Sequence, residues 1–77
     1  MGVPNPEVIR WARETAGLNY EDAVRRLGMK GKSAVETLRA YEEGIKHPSR
    51  SRLLMMSKQY HRSYLTFFLK SPPQKVE

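Results

Sequence analysis

The chain is 77 residues long, has no cysteine, and carries a formal net charge of +6. That length holds one small domain, which buries only about 60% of the surface its unfolded form exposes. Disulfides, thiolate metal sites and cysteine nucleophiles are excluded. No apolar run approaches the roughly 20 residues a membrane helix needs, and the N-terminus has no apolar signal region. We expect a soluble, cytoplasmic protein with no membrane partner.

Five short helices follow in chain order. Asn5-Pro6-Glu7 is a helix start, with a side-chain cap, proline at the first helical position and an acid near the positive dipole end. Val8, Ile9, Ala12 and Ala16 then recur at helical spacing beside Trp11, and Gly17 ends the segment. Leu18 staples the next start, where Asn19 caps and Glu21 and Asp22 fill the first turn. Ala23, Val24 and Leu27 form its inner face, and Gly28 stops it. After the polar turn Met29-Lys30-Gly31-Lys32, Ser33-Ala34-Val35-Glu36 matches the capping box, serine with glutamate three residues on. Ala34, Val35, Leu38 and Tyr41 continue a helical stripe to Gly44. Ser49 caps a fourth helix that turns Leu53, Met56 and Tyr60 inward, and Ser63 caps a last one, Tyr64–Leu69. The all-helical domain therefore spans residues 5–69, and 70–77 form a proline-containing tail or linker.

The charge is unevenly spread. Through Glu43, seven basic and seven acidic residues cancel; from Gly44 to Val76 there are seven basic residues and no acid. Such asymmetry points to a polyanion, phosphate first, with an acidic protein or an anionic membrane behind it. The alternative is a basic surface with no partner. Enzyme chemistry finds no constellation. His47 and His61 lie on different elements without acids between them, so no metal site is expected. Glu42 and Glu43 are adjacent and diverge around a helix, and the serines serve as caps. No glycine-rich phosphate loop is present, so no cofactor is expected and the chain reads as a non-enzyme.

The second and third helices, joined by a turn, fit a helix-turn-helix. Ile9-Arg10-Trp11-Ala12-Arg13, then Gly17–Val24, then Leu27-Gly28, resembles the opening of lambda-repressor-like (Xre-type) DNA-binding domains. Leu38–Gly44, followed by Lys46, Pro48 and Ser49, resembles that family's third helix and the loop after it. The segments Asn5–Glu14 and Leu65–Pro73 are similar to the N-terminal domain of proteins that couple this fold to an ImmA/IrrE-type zinc peptidase. The resemblance implies a compact five-helix domain that binds double-stranded DNA as part of a bacterial or phage-type transcription regulator. It implies an ion pair between Arg13 and Glu42. Val35, Glu36, Thr37 and Ala40 would stand at base-reading positions of the third helix. Lys46, Ser49 and Arg50 match phosphate-contacting positions, and Lys30, Lys32, Ser33, Arg39 and Arg52 are further phosphate candidates.

Three departures from that pattern matter. Lys30–Ser33 lengthens the turn, Tyr20 replaces an early polar residue of the second helix, and Val35, Glu36 and Ala40 replace residues that would hydrogen-bond base edges. A helix-turn-helix-derived protein-interaction or dimerisation module, such as an antitoxin or the regulatory N-terminal domain of a zinc peptidase, is therefore the second expectation. In that reading Arg50, Arg52, Lys58 and Arg62 bind an acidic partner. The last helix crowds five large residues together. Leu65 and Phe68 would pack inward, leaving Tyr64 and Phe67 for a second copy or a downstream domain.

Overall fold

The computed structural model describes residues 3–73, and they form four α-helices and one 3-10 turn with no strand among them. Helix α1 is Pro6–Thr15, α2 Tyr20–Arg26, α3 Ala34–Glu43 and α4 Arg50–Tyr60; the 3-10 turn is Tyr64–Phe68. Residues 74–77 of the expected tail lie outside the described residues; 70–73 carry no helix.

Three of the helix starts follow directly from local chemistry. The side chains of Asn5, Asn19 and Ser49 accept hydrogen bonds from the N–H groups of Glu7, Asp22 and Arg52, satisfying donors that the helix itself leaves free. Ser33 differs. The expected capping box is not made: Ser33 has no side-chain cap bond, and its backbone at φ −95° and ψ 10° is outside the extended region a capping residue adopts. The chain instead turns into α3 through the Ala34 N–H on the Gly31 carbonyl, with Gly31 at φ +99°. Gly44 closes α3 in the left-handed conformation, where its α-carbon faces Pro6 at the start of α1 so closely that an added Cβ would lie 3.3 Å from the proline ring.

The core gathers one stripe from each element. Val8, Ile9 and Ala12 of α1 meet Ala23, Leu27, Leu38, Leu53, Met56, Tyr60 and Phe67 in one buried cluster. Half-buried Trp11, Tyr41, Tyr64 and Phe68 pack around it. The outer face of α1 is joined to the end of α4 by Arg62, whose guanidinium lies 4.4 Å over the Trp11 ring and donates to the Thr15 hydroxyl at 2.9 Å.

The fifth expected helix is corrected to a 3-10 turn, and Leu65 and Phe67 exchange their expected places while Phe68 packs against the core as expected. Thr66 and Leu69 donate to carbonyls three residues back, at Ser63 and Thr66, the shorter repeat of a 3-10 turn. Phe67 is wholly buried in the core and cannot serve as an interface residue, whereas Leu65 stands 63% exposed. Tyr64 is half-buried and meets the Phe68 ring edge-on at 5.3 Å. The inward side is set by a latch between the two ends of the domain. The Asn5 N–H donates to the Phe67 carbonyl at 2.7 Å, and the Asn5 amide donates to the Leu69 and Lys70 carbonyls at 2.9 and 2.8 Å.

Asn5 thus caps α1 with its oxygen and holds the C-terminal segment with its nitrogen. Asn5→Ala should cost about 1–2 kcal/mol in chemical denaturation. Asn5→Asp keeps the cap and the backbone bond to Phe67 but loses the two side-chain bonds of the latch, so it should cost less than alanine yet raise amide exchange at 69–70. Equal exchange in the aspartate variant and the parent would remove the latch from this account.

Tyr60 supplies a second test, because its hydroxyl is buried with no hydrogen-bond partner. Tyr60→Phe removes an unsatisfied group and should leave the melting temperature unchanged or raise it. Burial, with the negative charge of Glu42 added, pushes the Tyr60 phenol above its ordinary value. The folded chain therefore keeps this proton after the unfolded chain has lost it. Tyr60's contribution is intact below about pH 10 and falls above it, by up to about 1.4 kcal/mol per pH unit. The stability gap between Tyr60→Phe and the parent should widen between about pH 10 and 12; a constant gap would contradict the burial argument.

Candidate nucleic-acid interface

The site begins with an ion pair that fixes α3 against α1. Arg13 Nε donates to Glu42 Oε2 at 2.7 Å and Nη2 to Oε1 at 3.2 Å, a two-pronged contact between side chains only 8% and 1% exposed. Arg13 Nη1 donates to the Leu18 carbonyl at 2.7 Å, so the loop before α2 is held by the same guanidinium. The Tyr20 hydroxyl donates to Glu42 Oε1 at 3.1 Å, and the Tyr20 ring lies 4.2 Å from the Arg13 guanidinium. Burial works against the charge on Arg13, but the hydrogen bonds and charge of Glu42, with Tyr20 and Glu14 behind them, hold its pKa above the ordinary value. Two buried charges are tolerated here because every prong has a partner.

With its inner face committed, α3 presents the remaining positions outward. Glu36 is exposed, while Val35, Thr37 and Ala40 are half-buried. Arg39 is exposed and its guanidinium sits 5.3 Å from the centre of the Tyr20 ring. Asn19, Tyr20 and Glu21 at the start of α2, with Val35 and Arg39 of α3, line a shallow depression of about 270 Å³. The sequence marked Tyr20 only as a departure from a pattern. It is the residue through which the start of α2 touches both the ion pair and Arg39, and nothing local in the sequence signals that.

The cations divide into free and committed groups. Lys30, Lys32 and Ser33 are exposed in the turn between α2 and α3, and Lys46 is exposed in the loop before α4. Ser49 caps α4, and Arg50 in its first turn is exposed. Arg52 is half-buried and donates to the Leu27 carbonyl at 3.4 Å, where it closes the end of α2. Arg62 is likewise committed, to Trp11 and Thr15. Neither offers a whole guanidinium to a ligand. Among the described residues no group of three or more His, Asp or Glu side chains could hold a metal ion, and no helix is long and apolar enough to cross a membrane.

No family model matches the chain, and neither the curated proteins nor the solved structures contain a significant match to it.

Removing one partner of the ion pair leaves the other charged, buried and unpaired. Arg13→Ala or Glu42→Ala should each cost about 3–5 kcal/mol, most of the stability of so small a domain. Tyr20→Phe removes one bond of the network and should cost about 1 kcal/mol. Thermal melts of the three variants check this order; a melt of Glu42→Ala close to the parent's would contradict it.

Proposed function

We propose that the chain is a lambda-repressor-like helix-turn-helix domain that binds double-stranded DNA as part of a transcription regulator. In this reading α2 lies across the backbone and the outer face of α3 enters the major groove. The observation that carries it is a set of exposed cations on and beside α3 in the chain: Lys30 and Lys32 before it, Lys46 and Arg50 after it, and Arg39 upon it, resting on the Tyr20 ring. Lys46 and Arg50 flank the capped start of α4, whose unpaired N–H groups suit a phosphate oxygen.

Base reading is the lesser component. Val35 offers an apolar surface to a thymine methyl group, and Thr37 offers a hydroxyl. Glu36 accepts from a cytosine amino group and repels phosphate. The free energy of binding then comes mainly from the backbone, with modest preference among sequences.

A second reading, a helix-turn-helix-derived interaction module, is favoured by the exposed carboxylate of Glu36 on the face that would meet DNA. A duplex titration separates the two. With fluorescently labelled mixed-sequence DNA, binding should weaken steeply with added salt. The double substitution Lys46→Glu with Arg50→Glu should weaken binding on every sequence alike and lower the salt slope by about two. The absence of binding at low salt would overturn the DNA reading in favour of the interaction module.

A further inference from the structure

The outer face of α4 belongs neither to the core nor to the cation group around α3. Leu53, Met56 and Tyr60 point inward, which turns Ser51, Leu54, Met55 and Lys58 outward at i, i+3, i+4 and i+7, one stripe of a helix. Leu54 is 47% and Met55 38% exposed, side by side at its middle. These four residues line a shallow concavity of about 250 Å³, room for one large apolar side chain. The Gln59 amide approaches the Met55 sulfur at 3.9 Å and borders the stripe on one side.

The charged side chains of α4 itself are all of one sign. Arg50, Leu54 and Lys58 form one ridge at four-residue intervals, so a cation stands one turn above and one turn below the leucine. No acidic residue occurs in α4 or anywhere between Gly44 and Val76. Of the other basic residues in α4 and the turn that follows it, Arg52 and Arg62 are turned to Leu27 and to Trp11, which leaves Arg50 and Lys58 exposed there. An exposed leucine–methionine pair between two unpaired cations suits a partner with an apolar anchor between carboxylates. A symmetric contact between two copies of this face does not supply it, since it would set the cations Arg50 and Lys58 of one copy against those of the other.

The geometry points to a docking surface on α4 for an acidic amphipathic helix of another protein. Its apolar residue fills the concavity of Ser51, Leu54, Met55 and Lys58, and its flanking carboxylates pair with Arg50 and Lys58. The surface does not depend on the DNA reading, and only Arg50 is common to both.

The test is an amide NMR titration of the whole chain with three probes. One is a synthetic four-turn amphipathic helix carrying leucines on one face and glutamates beside them. The second is the same peptide with lysine for each glutamate, and the third is vesicles of neutral and anionic phospholipid. The acidic peptide should shift Ser51, Leu54, Met55 and Lys58, and the lysine peptide should not. Leu54→Ser with Met55→Ser replaces exposed side chains and leaves the core intact, so the variant should melt like the parent and bind at least about tenfold more weakly. Lys58→Glu should weaken the acidic peptide and admit the lysine peptide, a reversal that a merely structural role for Lys58 does not produce. The inference is overturned by no shift at millimolar acidic peptide or by equal shifts with both peptides. It is overturned equally by a response to anionic vesicles alone, which would assign the face to lipid. Shifts that grow with protein concentration alone would assign it to a second copy. DNA binding unchanged in Leu54→Ser with Met55→Ser keeps this outcome separate from that of the duplex experiment.

Discussion

Among the described residues Arg13 and Glu42 are the one pair of charges that the fold encloses, and the arrangement of three elements follows from the need to satisfy them. A guanidinium taken out of water must find an acceptor for each of its sides. Arg13 finds Glu42 on α3 and the Leu18 carbonyl just before α2. Glu42 must in turn find donors, and it takes the Tyr20 hydroxyl at the start of α2. One network therefore fixes where α2 begins and which face of α3 turns inward. The exposure of Glu36 and Arg39 and the half-burial of Val35 and Thr37 are consequences of that rotation. A hydrophobic pair of equal volume would hold the helices together at least as well, but with less definition of their mutual rotation, since apolar contacts are not directional.

The apolar contacts do a different job. They come from all four helices and the 3-10 turn, and they close the fold end to end. Asn5 joins the beginning of the domain to residues 67–70, so Phe67 is drawn into the core from one end of the chain while Val8 and Ile9 enter it from the other. Helix α4 lies between these constraints. Its inner stripe is consumed by the core, its first residues are governed by the Ser49 cap, and its outer stripe is under no obligation to the rest of the molecule. Leu54 and Met55 at these positions are only partly covered by the rest of the chain, at 47% and 38% exposed.

What the sequence disclosed was what depends on neighbours a few residues away. The caps at Asn5, Asn19 and Ser49 bind N–H groups two or three residues on, and the inward stripe of α4 is a matter of helical spacing alone. Ser33 had the same local signature and failed, because the turn through Gly31 delivers it to α3 with its backbone already folded. The run from Tyr64 to Leu69 is rich enough in apolar residues to suit either a helix or a tighter turn. Which of its side chains face inward depends on Asn5, more than sixty positions away. The same holds for the site. The identity of the Arg13–Glu42 partners came through a resemblance, but the contacts of Tyr20, Arg52 and Arg62 are tertiary and left no local trace.

The distribution of charge on α3 limits what this helix can contribute to an encounter with DNA. Glu36, Arg39, Glu42 and Glu43 are its ionisable side chains apart from Tyr41, and Glu42 is neutralised internally by Arg13. The outer face is left with two carboxylates against one guanidinium, and that guanidinium rests on the Tyr20 ring. In the proposed DNA reading, attraction to the polyanion would arise from the exposed cations that flank α3 in the chain, Lys30 and Lys32 before it and Lys46 and Arg50 after it. Contacts of that kind fix orientation and register without reading bases. Their strength depends on counterion release and so on salt. In the proposed DNA reading, such a domain would gain position from its flanks and leave discrimination to Val35 and Thr37, whose contacts with a methyl group or a base edge would be individually small. If it acts at defined sites, a second point of attachment supplies the remainder, and linking two modest contacts multiplies affinity without any new contact on α3.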